Sequence, residues 1–394
     1  MARTFQILTL NKIAPVGLQR FPAERYVTGT DISNPDAILV RSQNMLEMDI
    51  PACVKAIGRA GAGTNNVPVK KMSARGVPVF NAPGANANAV KELVITGMLL
   101  ASRNIIPALQ FVAGLSGDAA ALHKVVEDGK KNYAGTELRG RTLGIIGLGA
   151  IGRLVADAAI GLGMNVIGFD PEITVDAAWS LPSQVKKANS VEDLLRQSDF
   201  VSLHVPLLDA TRDLINEKRV AVMKTGSVLL NFSRDAIVNE DAILAGLASN
   251  HVRCYVCDFP TGKTQKNPGV IALPHLGAST QEAEDNCAVM VVEQVRDYLE
   301  HGNVVNTVNF PSVTMPRESA FRLAIANANV PNMLGQISST LAQAGINIHN
   351  MMNKSRGEVA YTLVDTDSAL PQNLLAQIAA IPGVLMVRDL PLET

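Results

Sequence analysis

The chain has 394 residues, of which 47% are hydrophobic and 18% are charged. These values predict large buried cores in two or three domains and argue against a disordered protein. The formal net charge of −1 excludes the broad positive field that attracts nucleic acid or an anionic membrane, so we expect neither as a partner.

Short apolar runs alternate with helical patterns along most of the chain, which predicts parallel sheets with helices on both faces. The runs lie at 5–10, 37–40, 54–57, 77–80, 143–146, 166–169, 200–203, 227–230, 253–256 and 270–273. Because one sheet of ten strands is rare, we predict two Rossmann-like or flavodoxin-like domains. A helical stretch at 89–126 is expected to join them, and another at 282–299 to cross back.

The run at 143–146 leads into a G-x-G-x-x-G motif and then into a helical pattern that begins with Ala150 and Ile151. Gly147 permits the tight turn, Gly149 lets the backbone approach a pyrophosphate, and Gly152 allows close packing of helix and strand. The next run ends in Asp170, where a carboxylate would accept ribose hydroxyls and repel a 2′-phosphate. These features predict dinucleotide binding, with NAD preferred to NADP.

The four cysteines, Cys53, Cys254, Cys257 and Cys287, are too few for a disulfide scaffold in a chain of this size. Cys254 and Cys257 lie in a strand-like run, where residues three apart point to opposite faces. We therefore predict that they are core residues, and we predict no metal site. The N-terminus has no signal-peptide pattern, and no apolar stretch reaches the length of a membrane span, so we expect a cytoplasmic protein.

The last part of the chain has a different order of predicted strands and helices. A proline-punctuated stretch at 309–317 predicts a linker. After it, strand and helix patterns at 322–326, 333–344, 346–351, 358–364, 371–381 and 384–388 follow the βαββαβ order of a ferredoxin-like domain. We predict a substrate domain at 1–93 and 281–312, a nucleotide domain at 94–280 and a small domain at 319–394.

Nearly every polar residue that is a candidate for ligand binding or catalysis follows a predicted strand, where open α/β sheets bind their ligands. In the first half these residues are Arg41, Ser42, Arg59 and Asn81. In the nucleotide half, hydride chemistry on a 2-hydroxy acid needs a base for the hydroxyl proton and a cation for the carboxylate and carbonyl. His275 suits the first role and Arg234 the second. His204 is expected to shape the adenosine pocket.

Several stretches resemble the D-isomer-specific 2-hydroxy acid dehydrogenases. They are Val40-Arg41-Ser42, GRAGAGTNNV at 58–67, the glycine motif, His204-Val205-Pro206-Leu207, Asn231-Phe232-Ser233-Arg234 and Pro274-His275-Leu276-Gly277. The resemblance implies NAD-dependent oxidation of 3-phospho-D-glycerate to 3-phosphooxypyruvate, the first step of phosphorylated L-serine biosynthesis. It implies Arg234 and His275 as catalytic residues, and Arg41, Ser42, Arg59 and Asn81 on the substrate side. It implies NAD contacts from the glycine-motif residues named above and from Asp170, His204, Pro206, Thr211, Phe232, Ser233, Arg234, Asp258, His275, Gly277 and Ala278.

One departure from the family concerns the catalytic histidine. The family pairs it with a glutamate that would fall near Gly262 or Lys263, and the segment 258–263 has no glutamate. Glu282, Glu284 and Asp285 are the nearby candidates to replace it.

The final part resembles an ACT domain, which implies amino-acid sensing. Asn327, Asn329 and Asn347 could bind an L-serine effector, but asparagine is also simply a good turn residue. We expect a homodimer or homotetramer. Two alternatives stay open: reduction of glyoxylate, hydroxypyruvate or 2-oxoglutarate, and a non-catalytic NAD-sensing interaction protein.

Overall fold

The computed structural model describes residues 4–392, without the side chain of Asp176. The chain divides into two compact units: Met1–Asn86 with Gln281–Thr394, and Ala87–Thr280. Each unit is built around its own cores, and each carries part of the predicted site. The predicted boundaries of three domains stay a prediction.

The first unit begins with a five-stranded parallel sheet in the order β2-β1-β3-β4-β5. Its strands are β1 (Phe5–Leu10), β2 (Tyr26–Gly29), β3 (Ala37–Val40), β4 (Ala56–Arg59) and β5 (Val79–Phe80), with helices α1 (Pro15–Leu18) and α2 (Val69–Ala74). All four residues of β3 are buried, as expected for a central strand of a parallel sheet. The prediction missed the edge strand β2, because only Tyr26 on it is buried and the run is too short to show a pattern.

The second unit contains a seven-stranded parallel sheet in the order β12-β11-β10-β9-β6-β7-β8, which confirms the doubly wound prediction. Its strands are β6 (Thr142–Ile146), β7 (Asn165–Phe169), β8 (Lys186–Lys187), β9 (Phe200–Leu203), β10 (Ser227–Asn231), β11 (Val252–Cys257) and β12 (Val270–Ala272). Its helices are α3 (Ala87–Arg103), α4 (Ile105–Ala113), α5 (Ala119–Gly129), α6 (Ala150–Gly161), α7 (Val175–Trp179), α8 (Val191–Gln197), α9 (Glu217–Val222) and α10 (Glu240–Ala248).

The helical stretch predicted at 89–126 is wrong as a single element, because it forms the three helices α3, α4 and α5. Asn104 takes a left-handed conformation with φ of 52° and ends the first helix, and Gly117 with φ of 129° precedes the third. Within residues 4–392 no single helix is long and apolar enough to cross a membrane; only α3 and α4 taken together, bent by 66°, reach that length and composition.

Cys254 and Cys257 on β11 confirm the core prediction. Both thiols are free and buried. Cys254 lies in the hydrophobic cluster on one face of the sheet and Cys257 in the cluster on the other. Burial raises the pKa of each thiol to about 11, so both are protonated at neutral pH.

The chain returns to the first unit through the 21-residue helix α11 (Gln281–His301). The remaining elements are β13 (Phe321–Ala328), α12 (Met333–Gln343), β14 (Ile348–Arg356), β15 (Val359–Thr366), α13 (Gln372–Ala379) and β16 (Val384–Asp389). They form an antiparallel sheet in the order β14-β15-β13-β16, which confirms the ferredoxin-like prediction.

The linker prediction for 309–317 is wrong, because this segment belongs to a core. Phe310, Val313 and Met315 are at most 1% exposed and pack in one cluster with residues of β1, α11 and the C-terminal sheet. Asn309 accepts a hydrogen bond from Val79 N and donates one to Val77 O, each at 2.9 Å. The prolines dominated the sequence pattern, whereas the apolar residues between them decide where the segment lies.

Candidate active site

The glycine motif joins β6 to α6 and forms a cradle at the helix N-terminus. Gly147 has φ of 94°, and a Cβ on it would lie 2.7 Å from the backbone of His204. A Cβ on Gly152 would lie 2.0 Å from Gly147 O, so helix and loop touch at that point. A Cβ on Gly149 would meet no protein atom within 4 Å, which leaves open space before the first turn of α6. This space and the free helical N–H groups fit a pyrophosphate.

Asp170 follows β7 and holds the same loop. Its Oδ2 accepts a hydrogen bond from Leu148 N at 2.8 Å, and its Oδ1 accepts one from Glu172 N at 3.0 Å. These bonds fix the carboxylate beside the cradle while leaving lone pairs for two ribose hydroxyls. Its position agrees with the predicted role.

His204 lies at the end of β9, and its imidazole is closely surrounded by protein. Its Nε2 lies 2.9 Å from Ser202 Oγ, and its Nδ1 is buried without a hydrogen-bond partner among the described residues. Burial lowers the pKa of His204 to about 4, so the ring is neutral at physiological pH. Thr211 Oγ1 donates to Pro206 O at 2.6 Å and accepts from Leu208 N, which closes the turn that follows His204.

Arg234 lies in the turn that follows β10. Asn231 braces that turn by donating to Arg234 O at 2.8 Å and accepting from Ser233 N at 3.1 Å. Arg234 itself is exposed; its Nη1 donates to Ser233 O at 2.5 Å, and the guanidinium is accessible to an anion from solvent. The side chain of Phe232 is only 6% exposed and belongs to a hydrophobic core. If this residue contacts the cofactor as predicted, it does so through its backbone.

His275 has an uncommon left-handed backbone with φ of 56°, which Asp258 stabilises. The buried Asp258 carboxylate accepts Leu276 N and Gly277 N at 2.7 Å each, and Asp258 O accepts His275 N at 3.1 Å. The side chain that we predicted as a cofactor contact therefore clamps the histidine turn. His275 is exposed, as the acid or base of an open site must be, and Ala278 follows the same turn.

The contact to the His275 ring comes from an aromatic side chain. The ring centroids of Phe259 and His275 are 4.8 Å apart at 52°, and within the second unit no described carboxylate pairs with the imidazole. The segment that lacks the family's glutamate is tied to α10 instead, since Thr261 donates to Glu240 and Lys263 Nζ lies 2.6 Å from Asp241. A Cβ on Gly262 would meet no atom within 4 Å.

In the first unit the predicted substrate residues lie at the ends of β3, β4 and β5, so the structure brings them to one edge of the sheet: Arg59 is the last residue of β4, and Arg41, Ser42 and Asn81 follow β3 and β5. The guanidinium of Arg59 lies over Gly61, where a Cβ would come within 1.7 Å of Nη1. Asn81 Nδ2 donates to Ala62 O at 2.6 Å, which holds the loop beneath Arg59.

Glu284 on the first turn of α11 is the partner of Arg41. Arg41 Nη2 lies 2.5 Å from Glu284 Oε1. We named Glu284 from the sequence only as a candidate partner for His275, and nothing in the local sequence points to Arg41, which lies 243 positions away.

The three asparagines predicted to bind an effector do not meet within one chain. Asn327 is 1% exposed and pairs with Ala360 at the start of β15, and Asn329 Nδ2 donates to Gly357 O. Asn347 lies at the other end of β15, where its carbonyl accepts Asp367 N. Seven strand residues separate these ends, which is roughly 23 Å. The three asparagines therefore do not converge on one place within one chain, and their role in binding an effector stays a prediction.

Comparison with known proteins agrees with this geometry. Residues 96–277 match the family model of the D-isomer specific 2-hydroxyacid dehydrogenase NAD binding domain. The D-3-phosphoglycerate dehydrogenase of Escherichia coli K12 is 34% identical over 366 residues, which cover 89% of this chain and 85% of that protein. The enzyme of the same name from Haemophilus influenzae is 33% identical over 347 residues, covering 85% of this chain and 81% of that protein.

Solved structures show the same fold. The D-mandelate dehydrogenase of Rhodotorula graminis has a TM-score of 0.65 at 23% identity and covers 79% of this chain and 99% of that one. The NAD⁺-bound 3-phosphoglycerate dehydrogenase of Entamoeba histolytica has a TM-score of 0.58 at 24% identity and covers 78% of this chain and 99% of that one.

The chain belongs to the D-isomer-specific 2-hydroxyacid dehydrogenase family. It is an NAD-dependent oxidoreductase, and among the relatives it matches are D-3-phosphoglycerate dehydrogenases.

The placement of Asp170 leads to a prediction about the cofactor. The enzyme should use NAD(H) at least about tenfold more efficiently than NADP(H), a difference of roughly 1.4 kcal/mol, because the carboxylate repels a 2′-phosphate. Asp170→Ala should narrow this ratio, because it removes both the acceptor for the ribose hydroxyls of NADH and the repulsion of the 2′-phosphate. The measurement is kcat/KM for both cofactors. Glu172→Ala is the control, since it keeps the backbone N–H that Asp170 accepts. Equal efficiency of the wild type with both cofactors would refute the assignment.

Proposed function

We propose that the enzyme oxidises 3-phospho-D-glycerate to 3-phosphooxypyruvate, the first step of phosphorylated L-serine biosynthesis. The observation that carries this proposal is the arginine pair of the first unit. Arg41 follows β3 and Arg59 ends the adjacent strand β4, and neither is needed to bind the carboxylate if Arg234 does so. A second anionic group on the substrate accounts for them, and a phosphate suits the forked guanidinium.

Different residues perform the separate steps of this proposed reaction. Arg234 binds the carboxylate and polarises the carbonyl that forms at C2. His275 accepts the hydroxyl proton during oxidation and returns it during reduction. Asp258 and Phe259 hold the histidine turn in place. NAD, bound at the cradle before α6, supplies the hydride acceptor.

The test is a steady-state assay in the direction of reduction, with NADH and 3-phosphooxypyruvate. We expect kcat/KM for this substrate to exceed that for hydroxypyruvate, glyoxylate and 2-oxoglutarate by at least about tenfold, the value of one charge-assisted contact. Higher efficiency with an unphosphorylated acid would reject the proposed substrate. NADH binding without turnover of any of the four would favour the non-catalytic alternative.

We also propose that the enzyme is a homo-oligomer whose chains meet through α4. No residue of this helix is buried, although it is largely apolar. Leu109 and Val112 are 64% and 55% exposed. Such a surface favours association with a second copy. In sedimentation the wild type should behave as an oligomer and Leu109→Glu as a monomer. A monomeric wild type would reject the proposal.

The C-terminal βαββαβ part supports a further proposal, that it acts as an ACT module and senses an amino acid. Adding L-serine to the assay tests the effector, and activity unchanged at millimolar serine would reject it. For the location we propose the cytoplasm, because the buried free thiols of Cys254, Cys257 and Cys287 suit a reducing compartment.

A further inference from the structure

A carboxylate lies beside the two arginines, Arg41 and Arg59, that we propose bind the phosphate of the substrate. Glu284 pairs with Arg41 at 2.5 Å, and the two side chains are 34% and 39% exposed. Water therefore reaches the pair, and the two charges can separate without crossing a closed core. An arginine that already donates to a carboxylate has fewer N–H groups available to bind a phosphate.

Further charged and titratable groups lie near the contact between Arg41 and Glu284. Burial raises the pKa of the Cys287 thiol, one turn along α11 from Glu284, and the charges of Arg59 and Arg41 act against that rise. Arg59 pairs in register with Val40, the residue before Arg41, and Arg41 contacts Glu284, so the three side chains belong to one edge of the sheet.

We propose that Glu284 competes with the phosphate of the substrate for Arg41 and so sets the affinity of the enzyme for phosphorylated substrates. This inference rests on the proposed function. A phosphate gains the full fork of Arg41 only when Glu284 releases it. After Arg41 has separated from it, the charged carboxylate of Glu284 is still stabilised, because Glu284 lies in the first turn of α11, where the helix dipole favours a negative charge.

The experiment compares Glu284→Gln with Glu293→Gln. Glu293 is exposed on the same helix and pairs with Arg20, so its substitution changes net charge equally without touching Arg41. With Glu284→Gln we expect KM for 3-phosphooxypyruvate to fall by about three- to fivefold, the range for a partly exposed ion pair. The KM for hydroxypyruvate should change less than twofold. A higher KM for the phosphorylated substrate would show that Glu284 positions Arg41 and would overturn the proposal, as would equal changes with both substrates or with both variants.

Inorganic phosphate separates this inference from the proposed function. Its inhibition constant, measured against whichever 2-oxo acid the enzyme reduces best, should fall by the same factor in Glu284→Gln. In an Arg41→Ala background the Glu284 substitution should then have no effect, because the competition is removed. If the wild type prefers an unphosphorylated acid, the proposed function fails while the phosphate measurement still decides the competition. An unchanged inhibition constant in Glu284→Gln overturns the inference.

Discussion

Replacing His275 with alanine should lower kcat by about 10²–10⁴ while NADH binding stays nearly intact. The imidazole is exposed at a strand end, and its backbone turn is held by Asp258, so the substitution removes the proton carrier without removing the support of the loop. The measurements are single-turnover reduction of 3-phosphooxypyruvate and NADH binding followed by fluorescence.

Arg234→Ala provides the comparison. This variant should raise KM and lower kcat together, because carboxylate and carbonyl lose the same partner. A His275→Ala enzyme with near wild-type turnover would show that another group carries the proton. A variant that loses NADH affinity as much as turnover would show that His275 mainly supports the cofactor.

Much of the nucleotide half could be predicted because its signals are local. The apolar runs that become β6 and β7, the three glycines and Asp170 all fall within 30 residues, and hydrophobic period and turn chemistry are enough to interpret them. The ferredoxin-like order of the last part followed from the same alternation of periods. Where a pattern was short, as in β2, or dominated by prolines, as at 309–317, the prediction failed.

The pairings within the site could not be predicted, because they join residues far apart in sequence. Arg41 and Glu284 meet only after the chain has passed through the whole second unit and returned. Asp258 was assigned to the cofactor by family resemblance, whereas in the structure its two carboxylate oxygens accept backbone N–H groups of the histidine turn. Asn327 lies in a turn-like sequence and yet is an interior residue of β13.

The largest stability effect is expected at the buried ion pair of the C-terminal sheet. Arg322 on β13 and Asp365 on β15 are both 0% exposed and form two hydrogen bonds, at 2.6 and 2.9 Å. Arg322 also donates to the carbonyls of His301, Met315 and Pro316, which ties the sheet to the end of α11. Arg322 thus also ties the C-terminal sheet to the stretch at 309–317 that the sequence suggested was a linker.

Asp365→Ala should destabilise the protein by about 3–5 kcal/mol, because it leaves a guanidinium buried without a counter-charge. Glu293→Ala is the control: its pair with Arg20 is about half exposed, so its loss should cost less than about 1 kcal/mol. Urea unfolding at pH 7 measures both. A cost for Asp365→Ala as small as the control would mean that the carbonyls alone satisfy Arg322.

The same pair predicts a pH dependence. Burial opposes ionisation of Asp365, but the hydrogen bonds from Arg322 outweigh it and lower the pKa of the carboxyl. The unfolded chain then takes up this proton at a higher pH than the folded chain does. The stability from the pair is therefore complete above the unfolded value of about 3.9 and is lost as the pH falls through the lower folded value. Asp365→Asn cannot titrate, so the gap in urea midpoint between wild type and this variant should stay constant above about pH 4 and shrink as the pH falls below that value. A gap that does not shrink below about pH 4 would show that the carboxylate does not contribute through its charge.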